Sequence, residues 1–508
     1  MLFRSGGALV LAVVVSGGST DPAAADPGGP VHPTWEDPTA RLLSEGIGGP
    51  HGVHAGAHRW WTPVRVLLLL TAVCLALGMV QKAPCEADDW SGANTRYTHM
   101  CYSDLPYLYT GRGFAERAWP YSDDEQTRAR YPEIMEYPVL ISYWAYGTAW
   151  AAQEISGHYD PDARRLMGTG ALFGYQPVQR EISIFVVVNM LGFALLALLA
   201  VWLLARVDRR RPWDAVFVAA SPMLALTALV NWDLLAVAAV AAALFAWSRE
   251  RPVLTGVMIA IGTAAKLYPL FLLGGLLVLC VRRRRLDLFG VAALSALVAW
   301  GLLQLPAVMH PDGIDTTAWR YFWSFNSDRG ADLGSLWLVV NQAGGNAAGS
   351  HAINLVSWAF FSLWCLGVLA IGLLAKRTPT LAQLGYLVLV GFLIVNKVYS
   401  PQYVLWLLPL AALARPRWRD QLVWQAGELF YFCSVWWYLG GELAPAGGGD
   451  APVYWVAIVV RVLAELYLAA FVVRDLFRPE RGIGATASPP PTLEDAQAST
   501  TWSKSVVV

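Results

Sequence analysis

The sequence has few charged residues for its length. Asp, Glu, Lys and Arg make up 15% of its 508 residues, while hydrophobic residues make up 56%. Soluble proteins average about 25% charged and about 45–50% apolar residues, so this shortage excludes an ordinary soluble enzyme. The charges also balance, with 37 of each sign, and the total favours neither a nucleic-acid partner nor a polyanionic substrate.

The sequence also lacks the motifs of several common chemistries. No CxxC pair or His/Cys cluster has metal-ligand spacing, and no Walker A or strand-linked GxGxxG motif is present. None of the 8 His residues falls in a long apolar run, which argues against a His-based proton relay within a membrane. We therefore expect no metal and no cofactor.

Long apolar runs are present instead. A bilayer core of about 30 Å needs roughly 20 mostly apolar residues per helix, and twelve such runs occur along the chain. Several are short, so some are expected to form broken or tilted helices. The sequence predicts an all-α polytopic membrane protein with spans near residues 64–81, 182–205, 214–231, 233–248, 252–265, 267–281, 287–304, 353–375, 380–396, 401–414, 421–439 and 452–473.

Basic residues divide the loops between the two sides of the membrane. Five short loops hold 15 Lys/Arg against 5 Asp/Glu, and basic loops stay in the cytoplasm. The opposite side holds three large loops, 82–181, 305–352 and 440–451, with 11 Lys/Arg against 20 Asp/Glu. These loops are predicted to be extracytoplasmic, the first with short interfacial helices. The zero net charge is therefore the sum of two opposed surfaces.

One apolar, aromatic segment, residues 138–153, is too short for a standard span. We interpret it as re-entrant or interfacial, because counting it as a span would reverse the side of the basic loops. A spanning helix is the alternative.

Two terminal segments flank a transmembrane domain that we place at residues 64–475. Residues 1–63 and 476–508 are predicted to be disordered cytoplasmic tails. The first 25 residues also have the outline of a signal peptide. Cleavage there would start the mature chain outside and put the basic loops on the wrong side.

Two of the 6 cysteines, Cys85 and Cys101, share the first outer loop. They either form a disulfide or stay unpaired, since sequence alone gives no distance between them.

Polar residues gather at the outer ends of the spans. Such residues are costly in or beside a membrane, so each is a functional candidate. Together they predict a polar basin at the outer surface. Its candidate members are Asp104, Tyr107, Asn231, Asp233, Lys266, Arg320, Arg329, Asp332, Lys397 and Gln402.

Asp104 is the candidate general base, because apolar neighbours tend to raise the pKa of a carboxyl group. Alternatively, Asp104 or Ser103 is a helix N-cap. Lys266 and Lys397 have their own alternative, which is to extend toward the membrane surface without binding a ligand.

Three charged residues lie near the middle of predicted spans, away from the span ends. Arg461 and Glu465, four residues apart on one helix, are expected to satisfy each other. Glu428 has no evident partner.

Three stretches of the chain resemble a known family. They are CYSDLPYLYTGRGFAERAWPY around Asp104, the block NWDLLAVAAVAAALFAWSRERPVLTGVMIAIGTAAKLYPLFLL from Asn231 to Leu273, and SPQYVLWLLPL from Ser400 to Leu410. Over about residues 64–475 the chain resembles GT-C glycosyltransferases, and within them the polyprenyl-phosphate-mannose-dependent mannosyltransferase-like family of actinobacteria, glycosyltransferase family 87.

The resemblance implies an enzyme of the cell membrane that transfers a hexose, with mannose favoured, from a polyprenyl-phosphate donor on the outer face. It also implies inversion at the anomeric carbon, with Asp104 as the catalytic base. The acceptor regions have no residue-by-residue match, so the acceptor is a hydroxyl of a glycan, a glycolipid or a protein.

This chemistry assigns roles within the basin. Inverting displacement needs one base, and the leaving polyprenyl phosphate is already a stable anion that needs no general acid. Cations near the phosphate would stabilise its developing charge, and the candidates are Arg320, Arg329, Lys266 and Lys397. Candidates for sugar or acceptor contacts are Tyr107, Asn231, Asp233, Asp332 and Gln402.

A secondary transporter or a flippase for lipid-linked or small polar substrates is the alternative. A transporter predicts broken helices and charges near the midplane, together with repeated halves. The sequence shows no such repeat, and most of its polar groups gather at one face. The enzyme is therefore the favoured hypothesis.

Overall fold

A computed structural model describes residues 31–47, 59–132, 135–345, 348–443 and 450–478. It is 74% helical, which confirms the all-α prediction. In the described part, the strands are the pair Met309–His310 and Gly313–Ile314. The helices are α1 Pro33–Glu36, α2 Pro38–Gly46, α3 Pro63–Glu86, α4 Thr95–Thr98, α5 Asp104–Gly111, α6 Glu125–Arg130, α7 Val139–Ser156, α8 Pro161–Arg165, α9 Thr169–Leu172, α10 Gln176–Leu204, α11 Val216–Ala219, α12 Pro222–Thr227, α13 Leu234–Ser248, α14 Pro252–Ala265, α15 Leu272–Arg282, α16 Leu286–Val308, α17 Thr317–Asp328, α18 Leu336–Ala343, α19 Ser350–Leu374, α20 Leu381–Val395, α21 Val404–Ala414, α22 Trp418–Leu439 and α23 Pro452–Phe477, with 3-10 turns at Phe114–Glu116, Pro212–Ala215, Tyr268–Phe271 and Pro401–Tyr403.

Five of these helices are long and apolar enough to cross a membrane: α3, α10, α16, α19 and α23. Shorter apolar helices lie at Leu234–Ser248, Pro252–Ala265, Tyr268–Arg282, Leu381–Val395 and Pro401–Ala414. All of them coincide with predicted spans. The described part of the chain is therefore that of an all-α membrane protein, in which five long apolar helices are accompanied by shorter apolar ones.

The predicted span 214–231 is broken. It consists of a 3-10 turn followed by α11 and α12. Pro222 lacks the N–H that a continuous helix would use. The Ser221 hydroxyl accepts hydrogen bonds from the N–H groups of Met223 (3.1 Å) and Leu224 (3.4 Å) and so starts a new helix. The chain then turns between Thr227 and Leu234 without regular helix.

Close approach of two spans depends on a glycine. A Cβ on Gly256 in α14 would lie 2.1 Å from the carbonyl oxygen of Ala292 in α16. Small residues let helix backbones come together in this way within membranes. These two helices form one wall of the apolar cavity described below.

The segment between α3 and α10 contains helices α4 to α9. The longest, α7, covers the apolar segment 138–153, and Trp144 of α7 donates to Asn189 Oδ1 of α10 at 3.0 Å. This segment carries Asp104 at the start of α5.

The N-terminal region differs in part from the predicted disordered tail. Within it, α1 and α2 are helical, and the Asp37 carboxylate caps α2 by accepting from the N–H groups of Thr39 (2.8 Å) and Ala40 (3.1 Å). The same carboxylate accepts from the N–H of Trp418 at 2.9 Å. A cap that also bonds the start of α22 gives this short segment a defined position.

The remaining tail predictions fall on residues 1–30, 48–58 and 479–508, which lie outside the described residues. At the other end, α23 ends at Phe477, two residues beyond the predicted domain boundary.

Replacing Asp37 with Ala is expected to destabilise α2 and its attachment to α22, because α2 loses its N-cap and its hydrogen bond from Trp418. Loss of a cap costs about 1 kcal/mol, so amide hydrogen exchange of α2 should become roughly 5-fold faster. The matched control is Asp208→Ala, which removes an exposed carboxylate on a nearby loop. Unchanged exchange in α2 would contradict the assigned contacts.

Candidate active site

Asp104 is held against the broken span. The Ser103 hydroxyl donates to the carbonyl oxygen of Leu229 at 2.9 Å, and the backbone N–H of Asp104 donates to that of Val230 at 2.9 Å. Ser103 also caps α5 by accepting from the N–H of Leu105 at 3.4 Å. Ser103 is therefore the N-cap, and the Asp104 side chain remains available for other contacts.

Two further contacts fix the chain that leads into Asp104. Cys85 at the end of α3 forms a disulfide with Cys101, with Cα atoms 5.8 Å apart. Three residues earlier on α3, the fully buried Lys82 ammonium donates to the carbonyl oxygen of Tyr102 at 2.7 Å. The structure thus decides between the two alternatives for the cysteine pair and ties Asp104 to the first span.

The Asp104 carboxylate is the centre of a hydrogen-bond network. Its Oδ2 accepts from the Asn231 amide and, at 3.5 Å, from the Tyr137 hydroxyl. Asn231 also donates to the Tyr137 hydroxyl at 2.7 Å. Burial raises the pKa of Asp104 from its usual range, and hydrogen bonds from Tyr102 and Asn231 oppose this in part. A carboxylate with a raised pKa is suited to general-base chemistry.

Lys266 packs over the ring of Tyr137. Its ammonium nitrogen is 4.4 Å from the centre of the Tyr137 ring and 3.5 Å from Asp233 Oδ1. Trp406 donates to the same Asp233 oxygen at 2.6 Å. Because the Lys266 side chain is buried and paired, it does not simply extend to the surface. Its charge acts on Asp104.

A second paired cation approaches from the loop after α17. Arg329 forms an ion pair with Asp332 at 2.5 Å, and the backbone N–H of Asp332 donates to the carbonyl oxygen of Lys397 at 2.8 Å. The charge of Arg329 acts on Tyr137 and Tyr403. Arg329 is therefore close enough to Tyr137 for their charges to interact.

Other predicted site residues make different contacts. The Lys397 ammonium donates to the carbonyl oxygens of Asn326 (3.0 Å) and Ser327 (2.8 Å) at the end of α17. The Tyr107 hydroxyl donates to the carbonyl oxygen of Trp90 at 2.9 Å. Arg320 is exposed, and its side chain has no hydrogen bond or ion pair to the described residues.

Two of the predicted sugar contacts have buried oxygen atoms without a hydrogen-bond donor among the described residues. They are Oδ2 of Asp233 and Oε1 of Gln402. Buried acceptors of this kind can receive hydrogen bonds from a hydroxyl group of a ligand or from water.

An apolar cavity of about 300 Å³ begins beside Tyr137. Its walls come from α7, α14, α16 and α17, and from the residue after Lys266. Side chains that line it include Ile259, Leu267, Trp300, Trp319, Phe322 and Trp323. A narrow apolar chain fits a space of this character. The cavity therefore joins an apolar binding space to the polar cluster around Tyr137.

Sequence reasoning missed Lys82 and Tyr137. Lys82 is the first ionisable residue after the predicted span 64–81, which was the available signal. Tyr137 precedes Pro138 at the start of an apolar segment and has no such signal.

Among the described residues, no three His, Cys, Asp or Glu side chains converge as a metal site requires.

The disulfide predicts a definite count of reactive thiols. Denatured protein should take up an alkylating reagent at four cysteines without reductant and at all 6 after reduction, as mass spectrometry can count. Replacing Cys85 and Cys101 together with Ser should lower the free energy of unfolding by about 3 kcal/mol, whereas Cys74→Ser serves as the control. Six modified cysteines without reductant would contradict the bond.

Comparison with known proteins identifies a family over part of the chain. Residues 169–401 match the sequence profile of glycosyltransferase family 87. No curated protein matches the chain. The matched residues contain Asn231, Asp233, Lys266 and Arg329, whereas Asp104 precedes them. The match confirms the resemblance seen in the sequence and is consistent with a GT-C glycosyltransferase.

Proposed function

We propose, starting from the membrane glycosyltransferase that the family 87 match supports, that this protein transfers a hexose from a polyprenyl-phosphate donor to an acceptor hydroxyl. Mannose is the sugar that the resemblance favours. The transfer takes place on the extracytoplasmic face of the cell membrane, by inverting single displacement with Asp104 as the base.

One observation carries the proposal. A partly exposed carboxylate, a buried cation and an apolar cavity meet around a single side chain, Tyr137. Asp104 contacts its hydroxyl, Lys266 packs over its ring, and the cavity begins beside it. Transfer from a lipid-linked phosphate requires a base, positive charge at the phosphate and a space for the lipid.

The donor occupies this arrangement in a defined direction. The first isoprene units lie in the cavity, and the phosphate lies near Lys266 and Arg329. Both cations are held by carboxylates, Asp233 and Asp332, at 3.5 Å and 2.5 Å. Positive charge at this point stabilises the phosphate as it takes up the electron pair of the breaking bond.

The chemical step then needs few groups. The acceptor oxygen attacks the anomeric carbon while its proton passes to the Asp104 carboxylate. The bond from that carbon to the phosphate oxygen breaks, and polyprenyl phosphate leaves with the electron pair. Asn231 orients Asp104 Oδ2 for the proton transfer. The unpaired oxygens of Asp233 and Gln402 are placed to accept hydrogen bonds from sugar hydroxyls.

The acceptor is a hydroxyl group of a glycan, a glycolipid or a protein. Comparing lipid and glycan extracts of a wild-type strain and a deletion strain would identify it, because the missing product contains both the transferred sugar and the acceptor.

Replacing Asp104 with Asn is expected to reduce transfer by roughly 10²–10⁴-fold, because the amide cannot accept the acceptor's proton. The assay uses purified protein in lipid vesicles with a polyprenyl-phosphate hexose, and binding of the donor should persist. Asp89→Asn, at an exposed carboxylate of the same outer segment, is the matched control. Full turnover by Asp104→Asn would remove Asp104 from its role.

The pH dependence of transfer should report the environment of Asp104. Only the ionised carboxylate acts as a base, so activity should fall as the pH drops through its raised pKa. The Lys82 ammonium interacts with Asp104 and favours the ionised form. Lys82→Met should therefore move the acidic limb to higher pH by about one unit.

The control for this measurement is Arg165→Met, which removes an exposed cation at the end of α8. It should leave the limb in place. An acidic limb that stays fixed or moves to lower pH in Lys82→Met would contradict the assignment of Asp104 as the titrating base.

A further inference from the structure

A buried charge cluster lies between α22 and α23. Arg461 donates to Glu465 Oε1 at 2.8 Å, and both side chains are fully buried. Glu428 on α22 lies beside them and accepts from the Tyr399 hydroxyl (2.9 Å) and from Trp424 (3.0 Å). The predicted pairing of Arg461 with Glu465 is confirmed, and Glu428 now has partners.

Burying such a cluster destabilises the fold relative to apolar residues. Its presence therefore points to a role that apolar residues cannot fill. Taking charges out of water is costly, and well-packed apolar residues can often replace a buried ion pair. The outward connections of the cluster are therefore informative.

Besides the carboxylate of Glu465, Arg461 also contacts a loop at the outer face. Its second terminal nitrogen donates to the carbonyl oxygen of Gly334 at 3.2 Å, and its guanidinium lies 3.6 Å from the centre of the Tyr399 ring. The backbone N–H of Tyr399 in turn donates to the carbonyl oxygen of Leu333 at 2.6 Å. Arg461 thus contacts two neighbouring outer segments at once.

Gly334 is the point where this loop is held most tightly. Its φ is +69°, and an added Cβ would lie 2.0 Å from the Tyr431 hydroxyl and 2.4 Å from the Tyr399 carbonyl oxygen. Its N–H donates to the Tyr454 hydroxyl at 2.9 Å. Both the backbone conformation and the lack of space therefore require glycine here.

The same loop carries the paired cation of the site. Asp332, two residues before Gly334, holds Arg329, and its backbone N–H is bonded to the carbonyl oxygen of Lys397. A shift of the chain at Gly334 would therefore move Asp332 and, with it, the Arg329 guanidinium.

We infer that Arg461 is a positioning residue: held by Glu465, it fixes the Gly334 loop so that Arg329 meets the donor phosphate. This inference rests on the proposed function, in which Arg329 contacts that phosphate. Arginine is needed here because its guanidinium can bond a carboxylate and a backbone carbonyl at the same time, in fixed directions.

The test variant is Arg461→Lys. Lysine keeps the positive charge but lacks the planar fork, so it cannot hold Glu465 and Gly334 together in this geometry. The Michaelis constant for the polyprenyl-phosphate hexose should rise about tenfold, with the acidic limb of the pH profile unchanged, because Asp104 is not affected. Amide exchange at residues 331–335 should become faster.

The matched control is Arg415→Lys. Arg415 is also buried and joins the opposite ends of the same two helices, through Asp420 of α22 (2.8 Å) and Asp475 of α23. It has no hydrogen bond or ion pair to the Gly334 loop among the described residues. If Arg461 serves only to pack α22 against α23, both variants should raise the Michaelis constant equally, and this result would overturn the inference.

Gly334→Ala is the second variant, since it displaces the loop and leaves the side chains of Arg461, Glu465 and Glu428 themselves unchanged. It should reproduce the rise in the Michaelis constant even if Arg461→Lys fails to fold. An unchanged Michaelis constant in a folded variant of either kind would overturn the inference.

Binding of a short-chain prenyl phosphate separates this inference from the proposed function. If the wild-type protein does not bind it, the proposed donor is wrong. If the wild type binds it and Arg461→Lys binds it equally well, the inference alone fails.

Discussion

The position of Asp104 depends on backbone carbonyls that a broken span leaves without partners. Where α12 ends, Leu229 and Val230 present carbonyl oxygens that no following turn of helix can satisfy. Inside a membrane protein, irregular backbone is tolerated only where other groups supply the missing hydrogen bonds. Ser103 and the N–H of Asp104 supply them. The same contacts that complete the broken span place the carboxylate beside Asn231.

Pairing of charges organises the rest of the site. Lys266 is buried and held by Asp233, because an unpaired buried cation would be strongly destabilising, and the half-exposed Arg329 is held by Asp332. Both pairs lie near Tyr137, where the apolar cavity begins. Each carboxylate therefore fixes the direction of its cation, and the buried cluster around Arg461 extends this arrangement into the helix bundle.

Part of this arrangement could be predicted from the sequence. The apolar runs locate the long helices, because hydropathy over about 20 residues reflects a requirement that each span meets by itself. The concentration of polar residues near Asn231 and Lys266 indicated the site for a similar reason, since polar groups are expensive beside a membrane. The match to family 87 covers this same part of the chain.

Other features could not be predicted because they depend on contacts between distant segments. Lys82 and Tyr102 come together through the fold and the Cys85–Cys101 bond. Helices α1 and α2 are held in place by a hydrogen bond from Trp418, which is distant from them in the sequence. Lys397 appeared equivalent to Lys266 in sequence, yet it donates to the end of α17.

The sequence by itself determined that the chain is a helical membrane protein. It also determined which polar residues are energetically costly beside a membrane and are therefore functional candidates. Hydrophobicity and charge are local properties, so they can be read from the order of residues. Only the tertiary structure decided which of those residues meet. Tyr137 became the centre of the site because three separate segments bring a carboxylate to its hydroxyl, a cation to its ring and an apolar cavity beside it, and no local property of the chain encodes that meeting.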